Sequence, residues 1–203
     1  MRPVSLLEAA LSRAAADLTA LKARWALVGG LAVAARAEPR TTRDLDFAVA
    51  VSSEQEADDL IRALRDRGYQ DGPHAVRLRV GGGIAVVRLL PPGYQEGGVV
   101  VDLLFDLARI EREVVSGAEN LFVTPRLAVP VARVGHLLAL KLVASRPMDL
   151  FDARKLLDVA SDRDLRMCRE ALELITRRNG HDGRDLNFEL ERLLAEDPGL
   201  REM

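Results

Sequence analysis

Cysteine is nearly absent from this chain. Cys168 is the only one in 203 residues, which excludes an internal disulfide framework and any multi-cysteine metal site. Lysine is almost as scarce: of the 29 basic residues only Lys22, Lys141 and Lys155 are lysine, the rest being arginine. The position of each ammonium therefore carries information. No apolar run approaches the length of a bilayer span. Glu8 interrupts the opening apolar stretch, so the start of the chain has no signal-peptide pattern, and a cytoplasmic protein without membrane contact is expected. Neither sign of charge is in excess. The 31 acidic residues against 29 basic ones leave a net charge of -2, which excludes nucleic-acid binding through bulk charge and leaves only a local patch. The remainder, 48% hydrophobic and 30% charged, is an ordinary globular composition.

Hydrophobic periodicity divides the chain into a mixed first part and a helical second part. A capping box at Ser5 and Glu8 opens an amphipathic helix to about Lys22, and a second at Ser53 and Glu56 opens a helix that ends near Gly68. Trp25 to Val28 reads as a short strand. Gly29-Gly30 forms a tight turn into a helix over Leu31 to Ala37, and Asp44 to Val51 is an alternating strand. Val76 to Val80 and Ile84 to Leu90 flank Gly81-Gly82-Gly83 as a hairpin, and Val99 to Phe105 is a buried strand. From Pro130 only helices are expected, at about 131–145, 149–160, 162–178 and 185–195. The expected fold class is α/β, with a small mixed sheet and flanking helices in residues 1–125 and a helical subdomain in 126–203 closing a cleft between them.

On the strand from residue 44, Asp44 and Asp46 are two apart and project from one face, while Leu45, Phe47, Val49 and Val51 point to the core. Two carboxylates so placed repel unless a cation sits between them, and Mg²⁺ takes such hard oxygen ligands together with substrate phosphates. The alternative is a strand edge with its acids in water. The glycine turn upstream lets the backbone approach a ligand, and the helix it opens offers free N–H groups to phosphate oxygens. Asp102 lies within the apolar run VVVDLLF, where a carboxylate is costly unless paired or metal-bound; otherwise it caps the segment that follows. Asp106, beyond the run, suits a helix N-cap better. Lys141 lies in the almost wholly apolar LLALKLVA, so it needs an anionic partner, a cleft, or a route by which its amine escapes to water.

The turn GGLAVAAR followed by RTTRDLDF resembles the nucleotidyltransferase fold of the polymerase β type, and more particularly the AbiEii-type nucleotidyltransferases, which include toxins of bacterial toxin–antitoxin pairs. Gly29, Gly30, Arg36, Arg40, Thr42, Asp44 and Asp46 carry the resemblance. It implies transfer of an NMP from an NTP to an acceptor hydroxyl, with pyrophosphate released. Asp44, Asp46 and Asp102 would be metal ligands for two Mg²⁺ ions, and Asp102 would be the third carboxylate that this fold takes from a later strand. Lys141, followed by Arg146, Asp149 and Asp152, matches a lysine, an arginine and spaced acids in that family. The lysine would neutralise NTP phosphates, and an acid would position the base, the ribose or the lysine itself. Asp149 reads equally as a helix N-cap. Arg36, Arg40 and Thr42 are nucleotide-contacting or loop-shaping residues on this reading. The implied acceptor is the 3′ end of tRNA, and the implied partner a separately encoded antitoxin. Transfer to an antibiotic or a protein side chain, and a nucleotide-binding module without catalysis, are the alternatives.

Other features carry less. Gly81-Gly82-Gly83 lacks the GK[ST] of a P-loop, and His74, His136 and His181 have no metal-ligand spacing. Cys168 is expected in the core. Arg163, Arg166 and Arg169 form a helical stripe that either contacts RNA phosphates or is a solvated face balanced by neighbouring acids.

Overall fold

Ser5 opens the first helix as expected: its hydroxyl accepts the Glu8 N–H at 3.1 Å. Helix α1, Leu6–Ala20, buries Ala10, Leu11, Ala14, Ala15 and Leu18 along one stripe. The structure, a computed structural model, describes residues 5–72, 78–80, 83–94, 98–105, 109–180 and 183–196. Gly81, Gly82, Asp106, His74 and His181 lie outside the described residues. After α1 come β1 (Trp25–Val28), α2 (Gly29–Arg36), β2 (Asp44–Val49), α3 (Glu54–Asp66), β3 (Gln70–Asp71), β4 (Leu78–Val80), β5 (Gly83–Leu90) and β6 (Val100–Leu104). Then follow α4 (Glu111–Gly117), β7 (Glu119–Thr124), β8 (Leu127–Val131), α5 (Val134–Ala144), α6 (Pro147–Leu157), α7 (Asp162–Arg177) and α8 (Leu186–Glu196).

The strands form one mixed sheet in the order β3-β5-β6-β2-β1-β8-β7, with β4 also paired to β5. β2 runs parallel to β6 and β1 parallel to β8, while β1 and β2 are antiparallel. β2 is the anchor of the centre. Leu45 and Phe47 are completely buried, and Phe47 meets Trp25 edge-on at 5.3 Å. Full burial of each such side chain contributes about 1.5–3 kcal/mol, which holds the opposite face of β2 in place.

The α/β class agrees with expectation, but the sheet is larger than the sequence suggests. The β7–β8 hairpin adds two strands. The expected boundary between residues 125 and 126 falls in its turn, and β8 pairs directly with β1, so the sheet continues across that point. Pro130 is a strand residue and not a helix start: it lies opposite Asn120, and the first helix of the second part begins only at Val134. Cys168 is in the core, fully buried on α7. Of the arginine stripe, Arg169 is tied to Glu191 at 2.9 Å, while Arg163 and Arg166 face solvent. Among the described residues no helix is long and apolar enough to cross a membrane.

Arg36 closes α2 onto the sheet. Its guanidinium donates to the Val131 and Ala132 carbonyls, each at 3.0 Å, and to Glu119 at 2.8 Å. Arg36→Ala strands those two carbonyls and is expected to lower unfolding free energy by roughly 2 kcal/mol, measured by urea denaturation.

Candidate active site

One row of residues crosses the centre of the sheet. In register across β5, β6, β2 and β1 lie Arg88, Asp102, Asp46 and Val28. Directly paired residues on neighbouring strands point to the same side, so Asp102 shares the face of Asp46, and Asp44 joins them two residues earlier on β2. The three expected acids therefore come together. Gly29 follows Val28 and opens α2 with a φ of +64°. A Cβ at Gly29 would fall 1.9 Å from Asp46 Oδ2 and 2.7 Å from Asp46 Cβ. The backbone approach that the sequence suggested is thus made against Asp46 itself.

These groups floor a cleft of about 920 Å³ between the sheet and helices α5 and α6. Lys141 of α5 enters it from the helical side. Its ammonium is held between Asp149 Oδ1 at 3.0 Å and Asp152 Oδ2 at 2.8 Å, both on α6. Asp149 also accepts the Arg146 backbone N–H at 3.3 Å and Arg146 Nε at 2.6 Å. The N-cap of α6 is Arg146 and not Asp149, because the helix starts at Pro147, earlier than the sequence suggested; Asp149 lies in the first turn, where it answers the N-cap backbone and holds the lysine. Burial pushes the Asp149 carboxyl up, but the hydrogen bonds from Arg146 and Lys141 outweigh this and leave it below the usual carboxylate value. Asp152 is fully buried behind the lysine and pairs with Arg40 at 2.9 Å. Arg40 lies over Gly30, where a Cβ would fall 2.2 Å from its guanidinium. Thr42 donates to the Asp44 carbonyl at 3.3 Å and shapes the entry to β2.

Two expected contributors stand apart from the cleft wall. Arg36 is committed to Glu119 and to the carbonyls at the end of β8, and it does not line the cleft. Asp152 acts from beneath, through Lys141 and Arg40. Three arginines that line the cleft, Arg43, Arg88 and Arg109, were not singled out from the sequence. Arg88 forks onto Asp102, with Nε–Oδ1 at 2.8 Å and Nη2–Oδ2 at 2.6 Å. Arg109 lines the cleft with a positive φ, and its buried Nε has no hydrogen-bond partner among the described residues. The available signal for Arg88 was a single charge inside the apolar run GIAVVRLL.

Asp44 and Asp46 have no ion-pair or hydrogen-bond partner for their carboxylates among the described residues. Desolvation, with Asp102 and then Asp44 adding to it against the pull of Lys141 and Arg146, pushes the Asp46 carboxyl up to about 7. Two unpartnered hard oxygen donors on one face suit Mg²⁺. Asp102 is engaged by Arg88, and among the described residues no group of three or more His, Cys, Asp or Glu is arranged to hold a metal ion. The fit is therefore to Asp44 and Asp46, completed by oxygens of a bound substrate.

The raised Asp46 value makes ionisation unfavourable to the folded state. The stability this group supplies is complete below its ordinary value of 3.8 and is lost as pH rises through about 7. In chelator, Asp46→Asn is expected to melt above wild type at about pH 8, with the difference shrinking toward about pH 4; thermal melting across pH measures it. Gly29→Ala meets both the positive φ and the Asp46 side chain. It is expected to lower the melting midpoint and abolish nucleotide binding, measured by melting and by titration with an NTP.

Residues 10–202 match the model of the family described as nucleotidyl transferase AbiEii toxin, type IV toxin–antitoxin system. Among solved structures, the chain is similar to an antigenic nucleotidyltransferase-like protein from Paracoccidioides brasiliensis. That match has a TM-score of 0.51 and 16% identity, over 85% of this chain and 88% of that one. It is also similar to the lincosamide antibiotic adenylyltransferase LnuA with lincomycin bound, with a TM-score of 0.47 and 18% identity over 75% of this chain and 98% of that one. A comparison with curated proteins finds no match. With the family model spanning nearly its whole length, the chain belongs to the AbiEii family of nucleotidyl transferase toxins.

Proposed function

We propose that the protein moves an NMP from an NTP to an acceptor hydroxyl in a Mg²⁺-dependent reaction, that the acceptor is the 3′ end of a tRNA, and that it acts as the toxin of a toxin–antitoxin pair. The observation that carries the chemistry is the juxtaposition of unpartnered Asp44 and Asp46 with the Gly29-Gly30 turn and Lys141 in one cleft. The acceptor oxygen attacks the α-phosphorus, the bond from that phosphorus to the bridging α–β oxygen breaks, and pyrophosphate leaves. Gly29 and Gly30 offer backbone N–H groups to phosphate oxygens at the start of α2. Lys141, fixed by Asp149 and Asp152, supplies a positioned positive charge, and Arg146 supplies a second from the cleft rim. Asp44 and Asp46 would hold the cation, and Asp102 lies beside them on the side from which a second metal position would be completed. A divalent cation held there would neutralise the triphosphate and lower the pKa of the attacking hydroxyl. Positioning and charge stabilisation account for most of the catalysis in such a site.

The tRNA acceptor and the antitoxin rest on the family, whose model description is that of a toxin of a type IV system. Incubation with labelled NTPs, Mg²⁺ and total tRNA is expected to label RNA, read on a denaturing gel. Label on an antibiotic or on protein instead reassigns the acceptor. Asp46→Asn is expected to lose at least about 100-fold in transfer rate while keeping its folded circular dichroism spectrum. Full activity of that variant overturns the assignment of Asp46 as a metal ligand.

A further inference from the structure

Arg88 and Asp102 form the most fully engaged charge pair on the sheet side of the cleft. Arg88 Nε donates to Asp102 Oδ1 at 2.8 Å and Nη2 to Oδ2 at 2.6 Å, and the two residues are directly opposed across β5 and β6. Such a fork is among the stronger interactions that a carboxylate makes. Asp102 is nevertheless the third acid of the cluster, one strand away from Asp46. While the guanidinium holds it, a cation bridging Asp46 and Asp102 would sit against a fixed positive charge. The two partners differ in freedom. The Asp102 side chain is 10% exposed, whereas that of Arg88 is 31% exposed and lines the cleft. The root of Arg88 is fixed: its carbonyl accepts the Gly72 N–H at 3.1 Å, and a Cβ at Gly72 would fall 2.7 Å from Arg88 Cγ. The stem of the side chain is thus held at the strand while its partly exposed head borders the cleft.

We propose that Arg88 gates the third carboxylate: without nucleotide its guanidinium occupies Asp102, and an entering triphosphate draws it onto phosphate oxygens and leaves Asp102 to a divalent cation. A triphosphate offers the planar fork several anionic oxygens in place of one carboxylate. The exchange trades one ion pair for another and keeps a cation from bridging the acids before substrate arrives. The proposal rests on the part of the nucleotidyltransferase reading that places a nucleoside triphosphate and a divalent cation in this cleft, not on the transfer step, and it assigns Arg88 a role in the order in which ligands enter.

The test separates metal binding from nucleotide binding, without turnover. Mn²⁺ is titrated calorimetrically in the absence of nucleotide, and a non-hydrolysable NTP analogue is titrated in chelator. Arg88→Gln is expected to bind Mn²⁺ about tenfold tighter and the analogue about tenfold more weakly. Asp102→Asn frees the guanidinium and is expected to bind the analogue in chelator several-fold tighter than wild type. Should Arg88→Gln fail to fold, Arg88→Lys, which keeps the charge and loses the fork, is expected to shift both affinities in the same directions by less. Wild-type affinities for both ligands in Arg88→Gln, with only a lower melting temperature, make the bridge structural and overturn the proposal, as does weaker Mn²⁺ binding. A wild-type protein that binds neither ligand overturns this proposal and the transferase reading together. One that transfers to no acceptor, yet shows the opposed shifts in Arg88→Gln, overturns the transferase reading and upholds the gate.

Discussion

Asp46 and Asp102 are paired in register on two parallel strands, and the burial of one carboxylate beside another is the constraint to which the surrounding structure answers. Strands cannot turn one such residue away without turning its neighbours in register. Leu45 and Phe47, buried on the other face of β2, hold the acids where they are. The charge has to be met from elsewhere. Arg88 meets part of it from the next strand. The rest is faced across the cleft by a chain of alternating charges, Arg40, Asp152, Lys141, Asp149 and Arg146. That chain has three cations and two anions, so it opposes the acidic floor with net positive charge while leaving none of its own members unpaired. Pairing of this kind is what permits Lys141 and Asp152 to be buried at all.

The same arrangement separates two kinds of work. The sheet side supplies carboxylates held by backbone register, which cannot shift individually. The helical side supplies a lysine whose position is set by two side chains from the following helix. Ser145, in a left-handed conformation between α5 and α6, makes the bend that brings Asp149 and Asp152 back over Lys141. A short-range sequence pattern, lysine followed by acids eight and eleven residues later, thus becomes a spatial clamp only because the chain reverses between them.

Much of this centre was legible from residues alone. The alternation of DLDFAV gave away both the strand and its acidic face, and Asp102 was conspicuous as one acid among valines and leucines. The parallel pairing that makes Asp46 and Asp102 neighbours depends on register between strands more than fifty residues apart, which no local pattern carries. The β7–β8 hairpin escaped because Pro130 imitates the break before a helix, although β8 pairs with β1 at Val131, beyond the proline. Arg36 kept company with site residues in sequence but turned to the carbonyls at the end of β8, a contact across ninety-six positions. Arg88 was overlooked for the opposite reason: its strand looked like half of a hairpin, and the partner that gives it meaning lies on the strand to the other side.

Gly29 illustrates how narrow the margins are. Its left-handed backbone and the missing space beside Asp46 are two separate demands, one on torsion and one on volume, and glycine alone meets both. The floor of the cleft is consequently closed to gradual change at that point. Diversification of what the cleft accepts has to be written into the opposite wall, where Leu140, Val143 and Met148 border the space without belonging to the charge chain.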